Sequence, residues 1–130
     1  MTRVWVNGCF DILHRGHIEL FKYAKSLGDF LIVGADTDER VRYSKGLSRP
    51  FNTLEDRKYV LESIKWIDKV VPFGTDLELE SQIFDNNCKI MVVGSDWKGK
   101  KVIGEHLVEN VRYFNRLPSY STTKILQNKE

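Results

Sequence analysis

No apolar stretch of this sequence approaches the roughly 20 residues that a bilayer-crossing helix requires. The opening residues, Met1-Thr2-Arg3-Val4-Trp5, pass straight into a strand-like pattern with no apolar core of a secretion signal. Membrane insertion is therefore not expected. Cysteine is scarce. Cys9 and Cys88 lie far apart and in no CxxC pair, which argues against a disulfide framework or a structural zinc site and makes a reducing cytoplasm the expected setting. Charge of one sign is not in excess: 20 Lys and Arg face 18 Asp and Glu, for a formal net charge of +2. A dedicated nucleic-acid binder usually carries a one-sided basic surface. Proline is sparse, with 3 residues, and the 9 glycines are scattered, so no low-complexity linker is present, nor is any internal repeat. What is there is 130 residues, 42% hydrophobic and 29% charged. That composition suits one well-packed domain over residues 1–130.

Short β-branched runs alternate with segments of helical period. Strands are expected at Arg3–Val6, Phe30–Val33, Lys69–Phe73, Ile90–Val93 and Val111–Phe114. Pro72 places the third of these at a sheet edge. Ile18, Phe21, Ala24 and Leu27 recur at helical spacing, with Gly28 as the expected C-cap. Thr53 and Thr75 each begin a helix, Thr53 with Asp56 and Thr75 with Glu78 three residues on. Val102–Val108 reads as a short helix, and Ser121 caps a last one through Leu126. This β/α alternation predicts an α/β fold, a Rossmann-like, doubly wound, five-stranded parallel sheet with helices on both faces and the first strand central. Ligands in such folds bind beyond the C-terminal ends of the strands. The segment after the second strand, 36–53, reads as a long polar loop bearing Arg40, Arg42, Lys45 and Arg49. A basic loop at that edge of a near-neutral chain suggests a phosphate-rich small ligand.

The most informative segment is Gly8-Cys9-Phe10-Asp11-Ile12-Leu13-His14-Arg15-Gly16-His17. A strand enters it and a helix leaves it, and a helix N-terminus is a ready anion site. Gly8 permits close backbone approach, and Gly16 tightens the turn beside a ligand. His14 and His17, three residues apart, can face one way and donate hydrogen bonds to non-bridging phosphate oxygens. Two competing readings are an HxxH metal site, for which no third ligand lies at sensible spacing, and a pair of structural histidines.

Together, His14-Arg-Gly-His17 and the preceding Gly-x-Phe-Asp resemble the HxGH signature of the cytidylyltransferase-like nucleotidyltransferases. The resemblance covers nearly the whole chain. Ser121-Thr122-Thr123-Lys124-Ile125 resembles the family's second signature at the start of the last helix, and Glu55-Asp56-Arg57-Lys58 is similar to a family segment. The resemblance implies transfer of a nucleoside monophosphate from a nucleoside triphosphate to a phosphorylated acceptor, with release of pyrophosphate. His14 and His17 would hold the α-phosphate region. Ser121, Thr122 and Thr123 would hold the β and γ phosphates, Arg116 would add a fixed fork, and Lys45 would reach in from its loop. Gly8, Cys9, Phe10, Asp11, Gly16, Asp96 and Trp97 would line the nucleotide site, with Arg57 a further candidate. Mg²⁺ is expected with the triphosphate, and a homodimer is suggested.

Each assignment has a plainer alternative. Ser121 suffices as an N-cap, Lys45 as a solvated charge, and Arg57 as a partner of Asp56 or Glu62 on its own helix. Asp11 could orient its loop, Trp97 could be core, Cys9 a small filler whose useful group is its N–H, and His106 a surface residue. Two groups of segments disagree on the nucleotide. Asn7–Asp11, Lys45–Pro50 and Val102–Gly104 are similar to the ADP-heptose-forming adenylyltransferases. Gly94-Ser95-Asp96-Trp97-Lys98-Gly99-Lys100 and Arg116 are similar to the glycerol-3-phosphate cytidylyltransferases, although Ser95 and Leu117–Tyr120 depart from that pattern. The second group should sit at the nucleotide itself, so the sequence favours CTP and a small polyol or sugar phosphate for cell-surface polymers. ATP with a heptose 1-phosphate is the alternative. A non-catalytic nucleotide-binding module would show damage to these motifs, and none is visible. A nucleic-acid binder, suggested by Trp97 among Lys98, Lys100 and Lys101, is opposed by the balanced charge.

Overall fold

The computed structural model describes residues 1–115. Five strands form one sheet in the order β3-β2-β1-β4-β5, every pairing parallel. They are β1 (Arg3–Gly8), β2 (Phe30–Asp36), β3 (Lys69–Phe73), β4 (Ile90–Gly94) and β5 (Asn110–Phe114). The first strand is central and Pro72 lies on the edge strand β3, where its missing N–H costs no ladder bond. All five expected strands are present. β1, β2 and β4 run one to three residues further at their C-terminal ends, where they turn into the cleft described below.

The two faces of the sheet are read off β1 and β2. Val4, Val6, Leu31, Val33 and Ala35 point to one face, where they pack with Phe21 and Ala24 of α1 (Arg15–Ser26) and Leu61 of α3 (Leu54–Glu62). Trp5 and Ile32 point to the other, against Leu79 and Ile83 of α4 (Asp76–Asp85) and Met91. Strands covered on both faces must be apolar throughout, which is why these runs are continuous rather than alternating. Trp5 is fully buried, and its ring occupies the space above Gly34, where a Cβ would stand 2.4 Å from the indole.

Thr53 and Thr75 are the N-caps of α3 and α4, their hydroxyls accepting from Asp56 and Glu78 N–H. Three expectations need correction. The C-cap of α1 is Leu27, not Gly28; Gly28 is needed instead for close approach, since a Cβ there would stand 2.6 Å from the Thr2 carbonyl oxygen. Val102–Val108 is not a helix but a single 3₁₀ turn at Glu105–Leu107, entered through Gly104 at φ 86°. The segment 36–53 is not all loop. It contains α2 (Asp38–Lys45), capped by the Thr37 hydroxyl on Arg40 N–H, with Asp38 and Glu39 in the first turn and Val41 alone buried. The expected last helix from Ser121 lies outside the described residues.

Candidate active site

The C-terminal ends of β1 to β4 open into one cleft of ≈ 1470 Å³, where the switch in strand order predicts a ligand site. The loop from β1 to α1 forms its floor. Phe10 takes a positive φ of 51°, turning its ring back against Gly8, where a Cβ would meet it at 3.0 Å. The ring stands edge-on to His17 at 5.6 Å and to Phe21 at 5.1 Å. Gly8 thus makes room for Phe10, and Phe10 supports His17 from the core side.

His14 is not within the helix but at its N-cap. Its Nδ1 accepts from Gly16 N–H at 3.0 Å, while His17 Nδ1 accepts from His14 N–H at 3.2 Å. The two histidines form a reciprocal capping box, a role usually filled by Ser or Thr with Glu or Gln. The rings lie 3.9 Å apart between centroids. A nitrogen that accepts cannot carry the proton, so each neutral ring bears its hydrogen on Nε2, the atom remote from its own cap. The cap therefore fixes both the orientation and the tautomer of the pair. Burial pushes the His14 pKa below the ordinary 6.5, which favours the neutral donor form.

Asp11 and Arg57 are buried. Asp11 accepts from Phe51 N–H at 2.6 Å, Asn52 N–H at 2.8 Å and Arg49 Nε at 3.3 Å. Arg57 does not pair with Asp56 or Glu62. It donates to the Cys9 carbonyl at 2.8 Å, the Asn52 carbonyl at 3.1 Å and Asp38 Oδ1 at 2.7 Å. Lys45 lines the cleft from the last position of α2, exposed. Cys9 is buried, and burial raises its thiol pKa while Lys45 and Arg57 pull it down.

Gly8, Cys9, Phe10, Asp11, His14, Gly16, His17, Lys45 and Trp97 are brought to this one cleft. Trp97 is not core: it is 42% exposed on the 3₁₀ turn Ser95–Trp97 that follows β4. Asp96 is exposed on the same turn and Arg57 lies beneath the cleft, neither of them lining it. His106 is on the surface, paired with Glu80. Arg116, Ser121, Thr122 and Thr123 lie outside the described residues. Asp36, Thr37 and Arg40, from the segment after the second strand to which the sequence pointed, line the cleft as well, whereas sequence reasoning missed the wall beyond β3, notably Thr75 and Asp76. Their position at strand ends was the available signal. Asp36 is partly buried, and desolvation raises its pKa against the pull of Arg40.

A parallel sheet with this strand order, and a histidine-capped helix at its switch point, define a Rossmann-like α/β protein with a ligand-sized cleft at its strand ends. The chain belongs to the cytidylyltransferase-like family, whose model matches residues 5–128. It is 41% identical over 124 residues to the bifunctional protein HldE of Campylobacter concisus, and 44% identical over 126 residues to HldE of Sulfurimonas denitrificans. Each alignment covers 95% of this chain and 26% of the relative, so the chain spans about a quarter of the length of these relatives. Among solved structures, the lipopolysaccharide core biosynthesis protein from Thermoplasma volcanium is similar with a TM-score of 0.74 and 27% identity, covering 90% of this chain and 99% of that one.

Proposed function

We propose that this chain transfers the adenylyl group of ATP to the phosphate of a sugar 1-phosphate of the heptose type and releases pyrophosphate. The observation that carries this reading is the similarity, along 95% of the chain, to HldE proteins, whose matching part is the heptose-phosphate adenylyltransferase domain. It reverses the weighting made on sequence alone, which favoured CTP. The segments Asn7–Asp11, Lys45–Pro50 and Val102–Gly104 agree with it, and Cys9, Lys45 and Ile103 line the cleft.

The chemistry asks little covalent work of the protein. The acceptor's phosphate has a second pKa near 6 and is largely ionised at neutral pH, so it attacks the α-phosphorus without a general base. In-line displacement forms the new phosphorus–oxygen bond as the bond to the pyrophosphate leaving group breaks. The protein brings two anions together and offsets the charge that develops between them. Nε2–H of His14 and of His17 would donate to the α-phosphate oxygens. The N-terminus of α1 adds its positive dipole end, and Lys45 would follow the β and γ phosphates. Arg116 and the hydroxyls of Ser121, Thr122 and Thr123 are proposed for the same phosphates. Mg²⁺ is proposed to accompany the triphosphate, where it would offset part of the phosphate charge.

A second reading, CTP with a polyol phosphate, is favoured by Trp97 lining the cleft within its GxDWxGK-like segment. Pyrophosphate release from ATP, CTP, GTP and UTP, each with heptose 1-phosphate, glycerol 3-phosphate and related acceptors, separates the two. Turnover with ATP and the heptose phosphate is expected. Turnover confined to CTP would overturn the adenylyl reading, and no release from any pair would overturn nucleotidyl transfer by this chain.

A further inference from the structure

Asp11 and Arg57 stand where ligand contacts would be sought, yet their polar atoms are engaged within the protein. The Asp11 side chain is 1% exposed and that of Arg57 0%. A buried charge persists only when it is paired and hydrogen-bonded, so the identity of the partners shows what each charge is for. Those partners lie at three places in the chain: the histidine-bearing loop, the first turn of α2 and residues 49–52. Arg57 joins the Cys9 carbonyl of the histidine-bearing loop to Asp38 in the first turn of α2 and to the Asn52 carbonyl. Asp11, in the same loop, takes Arg49 Nε and the N–H groups of Phe51 and Asn52, and Asn52 Nδ2 returns a bond to the Asp11 carbonyl at 2.8 Å. Asp38 and Asn52 are the two feet of one excursion of the chain. Arg40, held by Asp36 and Asp76, steadies the first foot further. Between the feet, residues 42–48 are all exposed, and Lys45 stands at their middle.

We propose that Asp11 and Arg57 are positioning residues that tie both feet of the Lys45-bearing excursion to the loop that leads into His14 and the first turn of α1, where His17 stands. They deliver Lys45 to the cleft without touching the ligands themselves. The inference rests on the nucleotidyl-transfer reading, in which Lys45 meets the triphosphate. It reassigns Asp11 from ligand contact to support. Rigid feet with an exposed apex let Lys45 follow a ligand while its starting point stays fixed relative to the histidines.

The test combines kinetics with amide exchange. Asp11→Asn keeps the shape but offers one acceptor oxygen in place of two and no charge for Arg49. Asp38→Asn removes the ionic partner of Arg57 without opening a cavity where Arg57 lies. Each variant should lower kcat/KM for pyrophosphate release by about tenfold or more, whereas in a Lys45→Ala background Asp11→Asn should cost less than about threefold further, because the group it positions is gone. In the free protein, Asp11→Asn should speed hydrogen exchange at the Phe51 and Asn52 amides while the amides of β1 and β2 keep their protection. Multiplied effects in the double variant would overturn the proposal and return Asp11 to direct ligand contact or to general stability. Unchanged exchange at Phe51 and Asn52 would overturn it as well. Should the wild-type chain release no pyrophosphate from any nucleotide, the functional reading fails, and the exchange result alone decides the clamp.

Discussion

His14 and His17 do two jobs with two nitrogens. Each Nδ1 accepts from a backbone N–H at the start of α1, which places the hydrogen of the neutral ring on Nε2. His17→Ala should therefore lower kcat more than it raises KM, by about a hundred- to a thousandfold, the usual cost of one donor to developing charge. Pyrophosphate release measures it, and a variant within about threefold of wild type would remove His17 from the mechanism. His14 adds a pH dependence. Its pKa is pushed below 6.5 by burial, so between the folded value and 6.5 the unfolded chain binds more protons than the folded one. Stability should fall as pH drops through that window and level off beneath it. His14→Asn keeps an N-cap but does not titrate, so its urea midpoint should fall less across the same window. Equal slopes would show that other groups cause the loss. The residue types of this motif were legible in the sequence, but their reciprocal cap was not, because imidazole is not among the usual capping side chains. The burial of Arg57 was equally hidden: its partners Asp38 and Cys9 lie 19 and 48 residues away, and beside Asp56 and Glu62 it reads as a solvated helix charge.

Elements with a buried face were legible, and those without one were not. Continuous apolar runs marked β2 and β4, short β-branched or aromatic runs marked the other three strands, and Thr53 and Thr75 marked two helix starts. α2, with the sequence DERVRYSK, buries Val41 alone, so no apolar periodicity betrays it. The readable signal was Thr37 followed by Asp38 and Glu39, a capped and acidic first turn. This changes what the basic segment should do. An ordered, anchored α2 confines mobility to its exposed end, so trypsin should cut the free protein after Arg42 and Lys45 rather than after the ion-paired Arg40. Saturating nucleotide with Mg²⁺ should suppress both cuts. Lys45→Ala should weaken triphosphate binding and turnover, and Lys45→Arg should restore charge without geometry and recover activity only in part. Stability should change by no more than about 0.5 kcal/mol, as for other exposed side chains. Cleavage unaffected by nucleotide, with normal turnover of Lys45→Ala, would leave α2 a connection only.

At the scale of the whole molecule, topology followed from the alternation of elements, because right-handed crossovers leave few ways to order five parallel strands. The family followed from motifs at the switch point. The nucleotide did not follow. On the family resemblance, base recognition would depend on a few side chains at the end of β4 and beyond, where Asp96-Trp97 resembles one subfamily and Val102-Ile103-Gly104 the other. Both stretches reach the cleft, Trp97 with Val102 and Ile103 in its lining, so lining the cleft does not rank the two resemblances. Similarity over the full length does, since it averages over many more residues than either segment. Binding to the folded state alone stabilises by mass action, by roughly 2.7 kcal/mol at about 100 times Kd. At equal concentrations with Mg²⁺, ATP should therefore raise the melting temperature more than CTP. The comparison needs no acceptor and no turnover, so it tests the base preference separately from the chemistry. A larger shift with CTP would show that Trp97 and its neighbours outweigh the kinship of the rest of the chain, and would restore the cytidylyl reading.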